Sequence, residues 1–532
     1  MKRILALMLV LVLTLTGCTG LRAPLLYGGE YTAYEDMVYT RPDMDAMAAM
    51  VEQYCQIARQ SRDLNEVLDM VERYYDTYDR FQTNYTLAYI AYNRDVTDES
   101  WEAEFDFCAD SANMVDAHLE NLYMALAESP IRSKLEEEYF GSGFFEEYED
   151  GGFWDEKLMA LMNREGELIS DYYALCEEAD SVAYYSPEYF DTYAERLCQA
   201  LIDLVRQRRD IAAYLGYDSY PEFAYEFYHY RDYTPAQAME YTESIRQEMA
   251  ELYRRVSRSD VWDGGYSRCR KQEMYEYVAS AAEAMEGISL EAFALLETAA
   301  LYDISPSDKK FDASFETFLA SYHEPYVFVN PTGYRMDCLS FAHEFGHFVT
   351  DYAFWDGSWA GTDVQEVFSQ GMEYLSLFYS EGADEALLRY KLADTLATYV
   401  EQSAYASFEH QLYGLPAEEL TVEGVFALYR QTMESFGVDF DALGWDSRDL
   451  VTVPHFYTDP LYIISYVVSN DAAFQIYQLE RSQTGAGLAR FGENVTTECQ
   501  YFLEFVEEAD LKSPFTPGRA AEAARELAAV LE

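Results

Sequence analysis

Positive charge is scarce in this sequence: 37 lysines and arginines stand against 96 aspartates and glutamates, a formal net charge of −59. Such a surface repels nucleic-acid phosphates and anionic lipid headgroups alike, which excludes a nucleic-acid partner and reads as a solvated, self-repelling exterior. Cysteine supplies no framework. With Cys18 set aside, Cys55, Cys108, Cys176, Cys198, Cys269, Cys338 and Cys499 remain, an odd number without a CxxC pair or metal-like spacing. Their apolar neighbourhoods, as in "YALCEEA" and "ERLCQAL", fit buried thiols rather than a disulfide scaffold. No internal repeat is evident, and the one marked apolar run, Ile4 to Leu15, is too short to cross a bilayer. Histidine is rarer than any of these, at seven in 532 residues.

What is abundant is apolar surface to bury. Half of the residues are hydrophobic, and a chain of this length exceeds what one compact core usually supports, so two lobes are expected. Lys2 and Arg3 ahead of the Ile4–Leu15 run form an export signal over residues 1–17. Its end, Leu15-Thr16-Gly17-Cys18, resembles a bacterial lipobox. The resemblance implies lipidation of Cys18, a membrane anchor, and a tether over 18–30 that contains Pro24, Gly28 and Gly29.

Helical periodicity dominates beyond the tether. Tyr74, Tyr78, Phe81, Tyr85, Tyr89 and Tyr92 step by three or four and predict one core-facing helix stripe. Thr234, Pro235 and Gln237 predict a capped helix start. The exception is "PYVFVNPTGYRMD", where Tyr326, Val327, Phe328 and Val329 form a β-prone run followed by a turn at Gly333. A small sheet is therefore expected just before "FAHEFGHFVTDY".

That stretch carries the chemistry. Phe341, Phe345, Phe348 and Tyr352 recur at the helical period, which places His343 and His347 one turn apart on a single face. Two imidazoles at this spacing can ligate one Zn²⁺, and Glu344 can reach the attacking water as general base. Downstream, "DVQEVFSQGMEYL" sets Glu366 and Glu373 seven residues apart on one face. Glu366 can complete a two-histidine, one-carboxylate ligand set with a fourth place open, and Glu373 can orient a ligand imidazole through its free N–H.

"HEFGH" followed by Glu366-Val-Phe-Ser369-Gln-Gly-Met-Glu373 resembles the HExGH and ExxSxxxE signatures of the thimet oligopeptidase and oligoendopeptidase F family of zinc peptidases. "YLGYDSYPEFAYEFYHYRDYT", "PYVFVNPTGYRMDCLSFAHEFGH" and "VPHFYTDPLYIISYVVS" look like further segments of the family, so the resemblance runs from about Tyr214 to Val468. The linker between His347 and Glu366 is shorter than the family's, and Ile463 and Ile464 stand where some members carry an aromatic-Tyr pair. The resemblance implies a mainly α fold of two helical lobes around a deep substrate channel, with a small β-sheet beside the zinc-binding helix. On that basis residues 31–213 form an N-terminal helical region and 214–532 the catalytic region. It further implies one zinc ion per chain, short peptide substrates, and oxyanion stabilisation by His455 and Tyr462, with Tyr457 and Tyr466 as additional substrate-facing candidates. Tyr326 to Val329, if their edge is open, could pair with substrate backbone near Gly333. The alternative is a peptide-binding lipoprotein without catalytic turnover.

Overall fold

The computed structural model describes residues 31–148, 156–179, 186–354, 361–497 and 499–532. The export signal, the tether with Cys18, and Trp355 lie outside the described residues. Among those described, helices dominate and one three-stranded sheet is present, which is the mainly α, two-lobed architecture expected. No helix among them is long and apolar enough to cross a membrane.

Acidic residues start the first three helices. Asp43, Asp63 and Asp98 each accept a hydrogen bond from a backbone N–H in the first turn of α1 (Met44–Gln60), α2 (Leu64–Arg94) and α3 (Glu99–Ala127). These caps satisfy donors that a helix start leaves free. The predicted start at Thr234 is also present, with Gln237 closing a capping box and Pro235 in the first turn.

Apolar burial divides into two clusters. The smaller lies within residues 47–148, and the larger takes in nearly all of the chain from residue 158 onward. The division expected at 213/214 is not where the core divides: the helix Pro187–Tyr214 shares the larger cluster with the helices after it.

α2 belongs to both. Tyr74, Tyr78 and Phe81 pack in the smaller cluster, whereas Leu87 and Ile90 join the larger. The predicted aromatic stripe is therefore only half core. Tyr85, Tyr89 and Tyr92 are half-buried, and Tyr89 packs against Phe105 of α3 and Phe315 of the sheet, with centroids 5.6 and 4.8 Å apart. The end of α2 is tied to the sheet by Arg94, which meets Asp303 at 3.0 Å and donates to the Tyr326 hydroxyl at 2.8 Å.

The sheet has the order β1 (Tyr302–Asp303), β3 (Glu324–Val329), β2 (Ser314–Leu319), with β1 parallel and β2 antiparallel to β3. β3 is central and all six of its residues are buried. Its backbone is paired on both sides, so the expected open edge at Tyr326, Val327, Phe328 and Val329 does not exist, and these residues are core. A strand between two partners has no free N–H or C=O row to offer. Among the described residues β2 is an edge strand with β3 as its one strand partner, and on it the Thr86 hydroxyl donates to the Phe318 carbonyl at 3.3 Å.

Gly333 follows β3 with φ +85°, a backbone region that favours glycine. The Asp337 carboxylate accepts from the N–H groups of Thr332, Gly333 and Tyr334 at 3.1, 2.7 and 3.1 Å. Gly333 thus shapes the turn into the histidine helix, and its N–H is occupied by Asp337 rather than presented to a substrate.

Candidate metal centre

His343, Glu344 and His347 sit on the helix Met336–Ala353, and Glu366 and Glu373 on the helix Thr362–Tyr379. The two helices touch through Gly346. A Cβ there would lie 2.5 Å from the Ser369 Cα and 2.8 Å from the Phe368 carbonyl oxygen, so any side chain would force the helices apart. The middle residues of "HEFGH" and the serine of the second motif are thus the contact that sets the ligand distances.

One ligand atom each from His343, His347 and Glu366 lies within 4.8 Å of the others. Glu366 Oε2 is 3.5 Å from His343 Nε2 and 4.0 Å from His347 Nε2. Tetrahedral ligands about 2 Å from zinc are separated by a little over 3 Å, so small side-chain adjustments close this set on one ion. Both oxygens of Glu366 are held: the Ser369 hydroxyl donates to Oε2 at 3.0 Å and the Tyr462 hydroxyl to Oε1 at 2.9 Å. Chemistry and geometry of the donors fit a divalent metal with two imidazoles and one carboxylate.

Glu373 Oε1 is 2.9 Å from His343 Nδ1, which places the proton on Nδ1 and turns Nε2 toward Glu366. Lys391, buried on the helix Glu385–Ala397, meets the other Glu373 oxygen at 2.7 Å. Burial pushes the Glu373 carboxyl up, but the Lys391 charge and the His343 hydrogen bond outweigh it and hold Glu373 below its usual value.

Burial also pulls His343 down, yet the hydrogen bond to Glu373 and the charges of Glu366, Glu344 and Glu373 raise it to about 9. His347 lacks such a partner and falls to about 4 through burial. Burial raises Glu344 to about 7 despite the opposing His343 charge, and the Glu316 backbone on β2 hydrogen-bonds to its carboxyl. A carboxyl near neutrality is suited to take up and return a proton at physiological pH. A cleft of about 370 Å³ opens on this side of the centre, lined by Ser314 of β2, Met336, Leu339, Ser340, His343, Glu344, Glu373, Tyr390 and Asp394.

The opposite wall is the segment from Pro454 to Tyr466. His455 starts a short helix, His455–Thr458, and the helix Ile464–Ser482 carries Tyr466. The ring of Tyr462 lies 5.5 Å from that of His455 and 5.2 Å from that of Tyr466, and the Tyr466 hydroxyl is 3.4 Å from His455 Nε2. Burial lowers His455 and raises both tyrosines, leaving a neutral imidazole and two protonated phenols beside Glu366. Tyr457 faces the other way. It is fully buried, stacks on Tyr172 at 4.0 Å, and donates its hydroxyl to the Leu197 carbonyl at 3.3 Å, so it is core and cannot meet a substrate.

Sequence reasoning missed the groups that fix this wall. Arg208, with no exposed surface, donates to the carbonyls of Phe456 and Tyr457 and pairs with Glu165 at 2.7 Å. His229 Nε2 donates to the Pro460 carbonyl at 2.8 Å, and Arg231 reaches the Tyr462 carbonyl and the Ser465 hydroxyl. Leu461 adopts φ +64°, and the buried Glu409 accepts from its N–H at 2.9 Å. Histidine and arginine together in "YHYRDYT" were the only local sign of this network.

Residues 34–150 match the Peptidase M3 N-terminal domain. This match lies ahead of Tyr214, where the sequence motifs carried no resemblance. The fold is shared with PZ peptidase A solved with an inhibitor, at a TM-score of 0.79 and 20% identity over 93% of this chain and 98% of that one. It is shared with a candidate oligoendopeptidase F from Bacillus anthracis str. Ames, at 0.76 and 20% over 94% and 98%. An oligoendopeptidase-F from Enterococcus faecium is more distant, at 0.56 and 13% over 92% and 97%. No curated protein matches the chain. Domain match and fold together bear out the resemblance to the oligoendopeptidases and, with it, the reading of the chain as a metallopeptidase.

Proposed function

We propose that this chain is a zinc-dependent endopeptidase for short peptides, exported and anchored to the membrane by a lipid on Cys18. The observation that carries the catalytic part is the approach of His343, His347 and Glu366 to one point, with Glu344 beside it and Tyr462 and His455 opposite. Zinc bound there supplies Lewis-acid polarisation of the scissile carbonyl and of the attacking water. Glu344 takes the proton from that water and delivers it to the leaving amine. Tyr462, its hydroxyl turned from Glu366 toward the substrate, and His455 donate hydrogen bonds to the oxyanion as charge develops, and Tyr466 supports the His455 ring. Glu373 and Lys391 hold His343 in the tautomer that points Nε2 inward. β2 replaces β3 as the strand placed to pair with substrate backbone, at its Ser314 end, since it has one strand partner and Ser314 lines the cleft, whereas Glu316 and Phe318 further along already bond Glu344 and Thr86. Backbone pairing of this kind is tolerant of side-chain identity.

Hydrolysis of a quenched fluorescent oligopeptide, with and without a chelator and with Glu344→Gln, tests the catalytic part. The expected result is activity that disappears on chelation, returns with zinc, and is lost in the variant. Full activity in Glu344→Gln rejects the assignment. The anchor rests on Lys2, Arg3, the Ile4–Leu15 run and the Leu15–Cys18 motif. Fatty-acid labelling of the wild type but not of Cys18→Ala supports it, and equal labelling of both rejects it.

A further inference from the structure

The turn into the histidine helix runs beside a second stretch of chain that takes no part in the chemistry above. Residues 265–269 and 333–336 are laced by backbone hydrogen bonds. Cys269 N–H donates to the Gly333 carbonyl at 2.9 Å, Arg335 N–H to Ser267 at 2.9 Å, and Met336 N–H to Gly265 at 3.0 Å, around a bridge between Arg268 and Tyr334. This register brings the Cys269 and Cys338 sulfurs to 3.7 Å. Cys269 is half-buried and Cys338 buried, and both are free thiols.

We propose that Cys269 and Cys338 form an intramolecular disulfide that staples the first turn of the zinc-site helix to the segment ahead of Lys271. A bonded pair needs sulfurs about 2 Å apart and backbones held close together. The interlaced backbones hold Cys269 against the turn that leads into Cys338, and with the sulfurs 3.7 Å apart, rotation of the two side chains brings them to bonding distance. The staple acts on the helix that carries His343, whose first turn contains Cys338, and it closes a loop that contains the entire three-stranded sheet. Closing a long loop restricts the unfolded chain most.

The reaction requires an oxidant of the disulfide class, such as oxidised glutathione or a dithiol oxidase. Cys269, the more accessible thiol, loses its proton and attacks the oxidant's disulfide, forming a mixed disulfide and expelling one thiolate. Cys338 then loses its proton and attacks the Cys269 sulfur, expelling the second thiolate. Two electrons pass from the pair to the oxidant, whose disulfide becomes two thiols, and the protons leave with them or to solvent. Burial raises both thiols above their ordinary value, so the exchange accelerates toward alkaline pH.

The test is thiol mapping on the full-length, folded wild type. The protein is incubated with oxidised glutathione, quenched in acid, alkylated and digested, with a dithiothreitol-treated sample as reference. The proposal expects a linked peptide pair containing Cys269 and Cys338, loss of alkylation at both, and restoration of both by dithiothreitol. In Cys338→Ser it expects a glutathione adduct that persists on Cys269, where the wild type resolves it. Oxidation should also raise the thermal midpoint of the wild type by several degrees while leaving Cys269→Ser unchanged. A lasting glutathione adduct on wild-type Cys269 with Cys338 still alkylatable overturns it. So does full alkylation of both cysteines after oxidation at alkaline pH. Neither readout involves peptide hydrolysis, so the result stands apart from the peptidase assignment.

Discussion

On one side of the three-ligand cluster, His343, His347 and Glu366 come from two long helices pressed together at Gly346. On the other, His455 and Tyr462 come from a segment with one short helical turn and a left-handed leucine, and Tyr466 from the first turn of the helix Ile464–Ser482 that follows it. The first wall is positioned by main-chain regularity and close packing, with Glu373 and Lys391 behind His343 and the Ser369 hydroxyl on Glu366 as polar supports. The second has little regular structure and is positioned by buried polar side chains from distant parts of the chain, Arg208, His229, Arg231 and Glu409. Catalysis by differential binding suits such a division. Metal ligands must hold one geometry through the cycle, whereas oxyanion donors must meet charge that exists only in the transition state.

Breaking the helical wall is expected to have the largest effect. Gly346→Ala puts a methyl group onto the Ser369 backbone, where no flexible side chain can yield. The expected outcome is about 1–3 kcal/mol of lost stability together with failure to retain zinc, read by thermal unfolding and by metal content after dialysis. Retention of zinc at wild-type affinity would show that the Gly346 contact does not set the ligand distances.

The facing wall gives a smaller and different loss. Tyr462→Phe keeps the ring and removes the donor, so kcat should fall by about 10²-fold or more, and zinc affinity should weaken by less than that because the same hydroxyl holds Glu366 Oε1. Steady-state kinetics beside a metal-competition titration separates the two, and a loss of affinity without loss of kcat would move Tyr462 from the oxyanion to the metal side of the comparison.

Lys391→Met tests the polar support behind the helical wall. With its cation gone, Glu373 keeps only His343 to hold it ionised against burial, and zinc affinity is expected to weaken by about 10- to 100-fold. The pH dependence follows from the same pair. Without metal, His343 keeps its proton up to about 9, and zinc must displace that proton to bind. Apparent affinity should therefore rise by about tenfold per pH unit below that value and flatten above it. A flat profile between neutrality and 9 would contradict the His343–Glu373 arrangement. The smallest effect belongs to Tyr457→Phe, which removes one core hydrogen bond and should cost about 1 kcal/mol of stability with kcat unchanged.

The two walls also differ in how far the sequence revealed them. Spacing on a helix is a local property, so His343 and His347 could be placed on one face from the period of the apolar residues, and Glu366 and Glu373 on another from their seven-residue separation, with the family's motif to join the two. Proximity of Tyr462 and His455 to Glu366 depends on contacts more than two hundred residues apart in sequence, such as Arg208 to Phe456 and Arg231 to Ser465. No local period encodes that, and only resemblance to a family supplied those positions. Tyr457 shows the cost: two residues from His455, it turns into the core to stack on Tyr172. The β3 reading failed for a related reason. A run of β-prone residues predicts a strand but not whether that strand is central or at an edge, which depends on Ser314–Leu319 and Tyr302–Asp303 arriving on either side. At Tyr85, Tyr89 and Tyr92 the helical period was right, but which neighbour covers that end of α2 was not written in it.

X-ray absorption at the zinc edge of the zinc-loaded protein tests the central claim most directly. The account predicts two imidazole nitrogens and one carboxylate from the protein, with solvent oxygen completing the shell, and loss of the carboxylate contribution in Glu366→Gln. Four protein ligands in the wild type, or an unchanged shell in that variant, would contradict it.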